Sequence, residues 1–173
     1  MRWYVPAVGL LAAVIWTWHD RNSKTCRHDQ GKQYIVRATT PCNHAKLLDL
    51  MYRCQRVVLA GEGPCVTRVR QRWDGMIHEM VDAGSAPAVT HDKTTVRVCL
   101  NDDPDVDTLM FVVLHELAHV GCKSTGHTDE FWDGFSSLLS TARRIGVYTV
   151  HDPASSVCGT EVGPGPPQVL STK

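Results

Sequence analysis

The sequence predicts an α+β fold, in which one helix carries ionisable side chains beneath a small sheet and a second helix follows it. Three observations predict this. Residues Thr94–Leu100 alternate strictly, with Val96, Val98 and Leu100 on one side and Thr95, Arg97 and Cys99 on the other, as a half-buried strand requires. An apolar run then leads into "HELAH" and stops at Gly121, and an amphipathic stretch opens after Thr128.

Taken in chain order, "WYVPAVGLLAAVIWTW" at Trp3–Trp18 is uncharged and apolar, with tryptophans at both ends, where indole rings suit a membrane–water interface. It is short against the roughly 20 residues of a usual span, and about 17 is the lower limit. A cleaved signal peptide is the rival reading, but the bulky "IWTWHD" offers no small-residue cleavage site. Residues 1–18 are therefore expected to form an uncleaved, single-pass anchor helix. Arg2 precedes the run while Arg21, Lys24 and Arg27 follow it, which by the positive-inside rule leans toward a cytoplasmic domain.

Residues 19–42 are polar and without sustained period, as a linker would be, and the domain proper is expected over 43–151. A helix is predicted from about Asn43 to Ala60, where Leu47, Leu48, Met51, Tyr52 and Cys54 lie near one face, and "AGEGP" stops it. Val66–Trp73 has mixed periodicity and suits either a short helix or a strand. "NDDPDVD" places acidic side chains to start a helix running from about Asp105–Asp107 to Val120, with Gly121 as a left-handed terminator. Thr128 then caps a helix whose Phe131, Phe135, Leu138, Leu139 and Ala142 share an apolar face and whose Arg143 and Arg144 sit in the last turn. Residues 152–173, rich in Gly and Pro, are expected to form an extended tail.

Lys and Arg balance Asp and Glu at 18 each, so no whole-chain field draws the protein to nucleic acid or to an acidic partner. Seven cysteines without CxxC spacing argue against a zinc ribbon or a thioredoxin-type motif. Disulfides in an oxidising compartment and buried free thiols both remain open.

The chemistry concentrates in "VVLHELAHVGCKSTGHTDEFW" at Val112–Trp132. His115 and His119, four residues apart, project from the same side of a helix and can reach one ion. Met110, Val113, Leu114 and Leu117 cover the other side. Glu116 sits about 100° around the axis from His115, where a carboxylate reaches water without joining the ligands. This is the HExxH pattern of zinc peptidases. A catalytic Zn²⁺ takes three protein ligands and leaves one position open, and His127, returned by "CKSTG", is the third donor. Cys122 competes for that place, since a thiolate there would close the site.

With these residues, "LMFVVLHELAHVGCKSTGHTDEFWDGF" resembles the zinc peptidases of the WLM and SprT-like group, above all the small WLM-type proteins of large DNA viruses; the likeness covers roughly Thr94–Gly159. The resemblance implies a minimal zincin-like core, Zn²⁺ held by His115, His119 and His127, and Glu116 as general base toward a zinc-bound water that attacks a peptide carbonyl. It also implies that the strand Thr94–Leu100 lines the cleft and pairs with an extended peptide substrate. The spacing from His119 to His127 is longer than in typical members. The metzincin pattern does not fit, because Cys122 and Thr125 stand where it needs Gly and His and no methionine follows Met110.

Tyr148 has two readings, a further oxyanion donor or a packed core residue. Relatives of this group act on proteins crosslinked to DNA, and Arg68, Arg70 and Arg72 beside Trp73 offer phosphate contacts, although a solvated face explains them as well. The rival function is a non-catalytic, zinc-stabilised, membrane-tethered binding or virion protein, against which the intact Glu116 argues.

Overall fold

The computed structural model describes residues 23–27, 33–37, 41–80, 86–101, 104–150 and 155–163. The apolar run Trp3–Trp18 lies outside the described residues, and no helix among those described is long and apolar enough to cross a membrane. The architecture is mixed α+β. The chain divides into two compact units, 1–48 and 49–173.

In the first unit, the stretch expected as a polar linker contains an antiparallel pair: β1 (Ser23–Arg27) and β2 (Gln33–Arg37), in register from Ser23 with Arg37 to Arg27 with Gln33. Helix α1 (Pro41–Ala60) crosses the boundary between the units. Its Leu50, Cys54 and Val57, at three- and four-residue spacing, are wholly buried.

The second unit holds α2 (Pro64–Arg72), the strands β3 (Ile77–Glu79), β4 (Ala88–His91) and β5 (Thr95–Val98), α3 (Val106–Gly121), α4 (Asp129–Arg144) and a hairpin of β6 (Ser156–Val157) and β7 (Thr160–Glu161). The ambiguous Val66–Trp73 resolves as helix: Pro64 starts it, and Cys65, Val66 and Val69 form its buried face. This splits the alternating arginines. Arg68 and Arg72, four apart, share one face, and Arg70 points away from them.

The sheet order is β3-β5-β4, with β3 parallel and β4 antiparallel to β5. Val96 and Val98 are fully buried, as the alternation predicts. The strand is central, however, with Val96 facing Ile77 on one side and Thr90 on the other. Both edges of β5 are used, so it has none to offer an extended peptide; β4 is the edge strand against α3.

Asp105 caps α3, accepting from the Thr108 amide at 2.8 Å. Met110, Val113, Leu114 and Leu117 are fully buried on its apolar side. Gly121 is not the left-handed terminator expected of it; it is the last helical residue, and its value is its missing side chain. A Cβ there would lie 2.7 Å from the Cys65 carbonyl oxygen and closer still to its sulfur, and one at Gly134 of α4 would lie 2.6 Å from the same sulfur. The two glycines let α3 and α4 close on α2. The left-handed turn falls to Gly126 instead, at φ +81.

Of the tail expected to be extended, residues 155–163 fold back as the β6–β7 hairpin, with Val157 buried. Its tip, Cys158, is disulfide-bonded to Cys99 beside β5, 59 residues earlier. Tyr148 is packed in the core, with the Arg143 guanidinium 5.8 Å from its ring centroid.

Gly121→Ala and Gly134→Ala are each expected to lower stability by about 1–3 kcal/mol through overpacking. In urea titrations, Cys65→Ala should rescue most of the Gly134→Ala loss, where sulfur is the obstacle. It should rescue little of the Gly121→Ala loss, because the residue-65 carbonyl remains. Cys158→Ser should cost about 2–4 kcal/mol and remove the part of the unfolding midpoint's response to reductant that the Cys99–Cys158 bond supplies.

Candidate metal centre

The fold brings together the three histidines that the sequence singled out. The ligand nitrogens of His115, His119 and His127 all lie within 4.8 Å of one another, and Nε2 of His127 is 3.0 Å from Nε2 of His115. Three nitrogens about 2.0–2.1 Å from one tetrahedral ion would stand roughly 3.3 Å apart, so the spacing suits a single metal ion. Burial, with the neighbouring imidazoles second, holds His115 down to about 3; burial, then His127 and Lys93, holds His119 down to about 4. Both rings are therefore neutral at neutral pH, which is the ligating form.

Phe131, wholly buried, is the floor of this centre: its ring centroid lies 4.4, 4.8 and 4.6 Å from those of His119, His115 and His127. Trp132 flanks His127 at 5.4 Å.

Cys122 does not compete. It is fully buried, stands outside the converging donor set, and its thiol hydrogen-bonds with that of Cys65. Burial, with Glu130 second, raises its pKa, which disfavours the thiolate that a metal needs. Cys65 is likewise pushed up to about 12 by burial.

His127 depends on a loop held by cations. Lys93, at the β4–β5 turn, donates to the carbonyls of Cys122, Lys123 and Ser124 at 2.7, 3.0 and 2.7 Å. Arg72 reaches the carbonyls of Val120 and Cys122, both at 3.2 Å, and Arg68 donates to that of Gly121. Arg68 also pairs with Glu130 at 2.5 Å, and Glu130 in turn accepts from the Lys123 amide at 3.1 Å. Thr128 stands at the start of α4 as expected, but its hydroxyl lies 3.0 Å from that of Ser124 and makes no cap bond. Arg70 turns the other way and donates to the carbonyls of Val58, Leu59 and Gly61 at the end of α1.

Glu116 is 9 % exposed, and burial raises its pKa. Thr90 of β4 donates to its Oε2 at 2.7 Å and to its backbone oxygen at 3.0 Å, which orients the carboxylate. Glu116 and His115 both line a cleft of about 380 Å³, with Ala88, Phe111, Trp132 and Val162 among its walls. Sequence reasoning missed Thr90 and Lys93, which lie a sheet away from the motif, and saw Phe131 only as core.

No family model matches the chain, and no solved structure does. Viral proteins do. The chain is 44% identical over 69 residues to the uncharacterized protein 042R of Invertebrate iridescent virus 3, covering 37% of this chain and 43% of that one. It is 38% identical over 66 residues to the uncharacterized protein 136R of Invertebrate iridescent virus 6, covering 34% and 37%. It is 32% identical over 78 residues to the uncharacterized protein R325 of Acanthamoeba polyphaga mimivirus, covering 42% and 40%. The chain thus spans less than half the length of each of these relatives.

Competition with a chromogenic chelator should find one divalent ion per chain. Lys93→Met, which removes no ligand, should weaken it by roughly the 10–100-fold typical of lost supporting contacts. His127→Ala should weaken it further still.

Proposed function

We propose that the chain is a zinc-dependent peptidase of the WLM and SprT-like kind, with a zincin-like core and an anchor through residues 3–18. The observation that carries this reading is the joint placement of a buried, hydrogen-bonded Glu116 and His115 of the imidazole trio on one cleft. A purely structural metal site has no use for such a carboxylate. The donor set, three imidazoles and no thiolate, suits Zn²⁺ with an open position.

When bound, the ion supplies Lewis-acid chemistry, polarising a carbonyl and acidifying water. Glu116 accepts the proton of the attacking water and hands it to the leaving amine. Thr90 anchors Oε2, so that Oε1 is the oxygen that exchanges the proton. The raised pKa of the carboxyl brings it nearer the range in which a group both takes and returns protons. The substrate is an extended peptide laid along β4, whose residue Ala88 lines the cleft. Arg68, Arg70 and Arg72 are engaged with carbonyls and Glu130, which favours a role in the fold over contact with nucleic acid.

Glu116→Gln should retain the ion and lose about 10²–10⁴-fold in chelator-sensitive cleavage of an unfolded protein substrate. Mass spectrometry of products beside metal analysis checks both. Absence of chelator-sensitive cleavage by the wild-type chain would instead favour the non-catalytic binding or virion protein.

A further inference from the structure

The cleft beside Glu116 has walls from three parts of the chain. Ala88 comes from β4, and Phe111, Val112, Trp132 and Phe135 come from α3 and α4. The remaining wall is Glu161, Val162 and Gly163, from the C-terminal hairpin and the residues just after it. Phe111 and Phe135 meet edge to face at 5.1 Å, and Val162 is 6 % exposed, so the interior is apolar. At about 380 Å³ the volume lies at the small end of ligand pockets, roughly 300–1,000 Å³, and suits a short piece of peptide.

The charges in this lining have one sign. Glu116 and the exposed Glu161 contribute carboxylates, and among the described residues no Lys or Arg lines the cleft. The hairpin that presents Glu161 is closed across its base and tethered at its tip. The Val162 amide donates to the Ser155 carbonyl at 3.0 Å, and the tip is bonded through Cys158, held at φ 51, to Cys99. A wall tethered in this way can discriminate, because its backbone holds the buried Val162 in place and keeps the exposed Glu161 beside it.

We propose that this hairpin is the specificity wall of the cleft: Val162 takes an apolar side chain of an extended peptide, and Glu161 takes a Lys or Arg beside it. The proposal rests on the peptidase reading for its substrate class. Its test is binding, measured apart from cleavage. Labelled hexapeptides with Leu–Lys, Leu–Glu or Gly–Lys at the centre are titrated into the full chain loaded with Zn²⁺, and anisotropy is read. Leu–Lys should bind about tenfold tighter than either of the others. Glu161→Gln should erase the preference for Lys over Glu, and Glu161→Lys should invert it. Val162→Trp should erase the advantage of Leu over Gly, all at unchanged metal content. Equal binding of the three peptides, no binding of any, or variants that keep the wild-type preferences would overturn the proposal. Selective binding without hydrolysis would support the wall and sink the peptidase reading; hydrolysis without selectivity would do the reverse.

Discussion

The carbonyls at the end of α3 impose the constraint on which the second unit depends. A helix carrying two of the three clustered histidines stops just after His119, and the chain comes back within a few residues to present His127. The last carbonyls of a helix have no partners of their own and carry its partial negative charge. Lys93, Arg68 and Arg72 answer both needs at once, donating to the carbonyls of residues 120 to 124 from a strand turn and from α2. The loop geometry is therefore set from outside the loop.

That arrangement requires α2 to lie close, and close packing is what Gly121 and Gly134 permit against Cys65. A thiol is small enough to fill the junction and, being buried with a raised pKa, stays unreactive there. The sheet adds the other half of the site. Through Thr90 it fixes Glu116 and through Lys93 it fixes the loop, so two residues near one hairpin turn govern both the carboxylate and the approach to His127.

The clustering of His115, His119 and His127 beside Glu116 was legible because its logic is local: four-residue spacing on a helix, an adjacent carboxylate and a short return. The strand Thr95–Val98 and the starts and ends of α3 and α4 were legible for the same reason. Where partners are distant, local patterns misled. The alternation of Arg68, Arg70 and Arg72 resembles a charged face, yet Arg68 and Arg72 serve the distant end of α3 and Arg70 serves the preceding end of α1. Gly121 looked like a helix terminator because local rules cannot see Cys65, 56 positions earlier by the numbering. The centrality of β5 depended on β3, whose three residues are too few for a periodic signal. The pairing of Cys99 with Cys158 had no signal, since composition does not fix connectivity.

The position of that disulfide in the chain has a further consequence. Synthesis runs from the N-terminus, so helix, returning loop and aromatic floor are all made before the hairpin at 155–163 emerges. The three histidines can come together while the cleft still lacks one side. Only when Cys158 has been made, and an oxidant has joined it to Cys99, is the last wall fixed. The gathering of the three histidines and the closing of the cleft are thus separate events in the life of one molecule, the second of them awaiting oxidation.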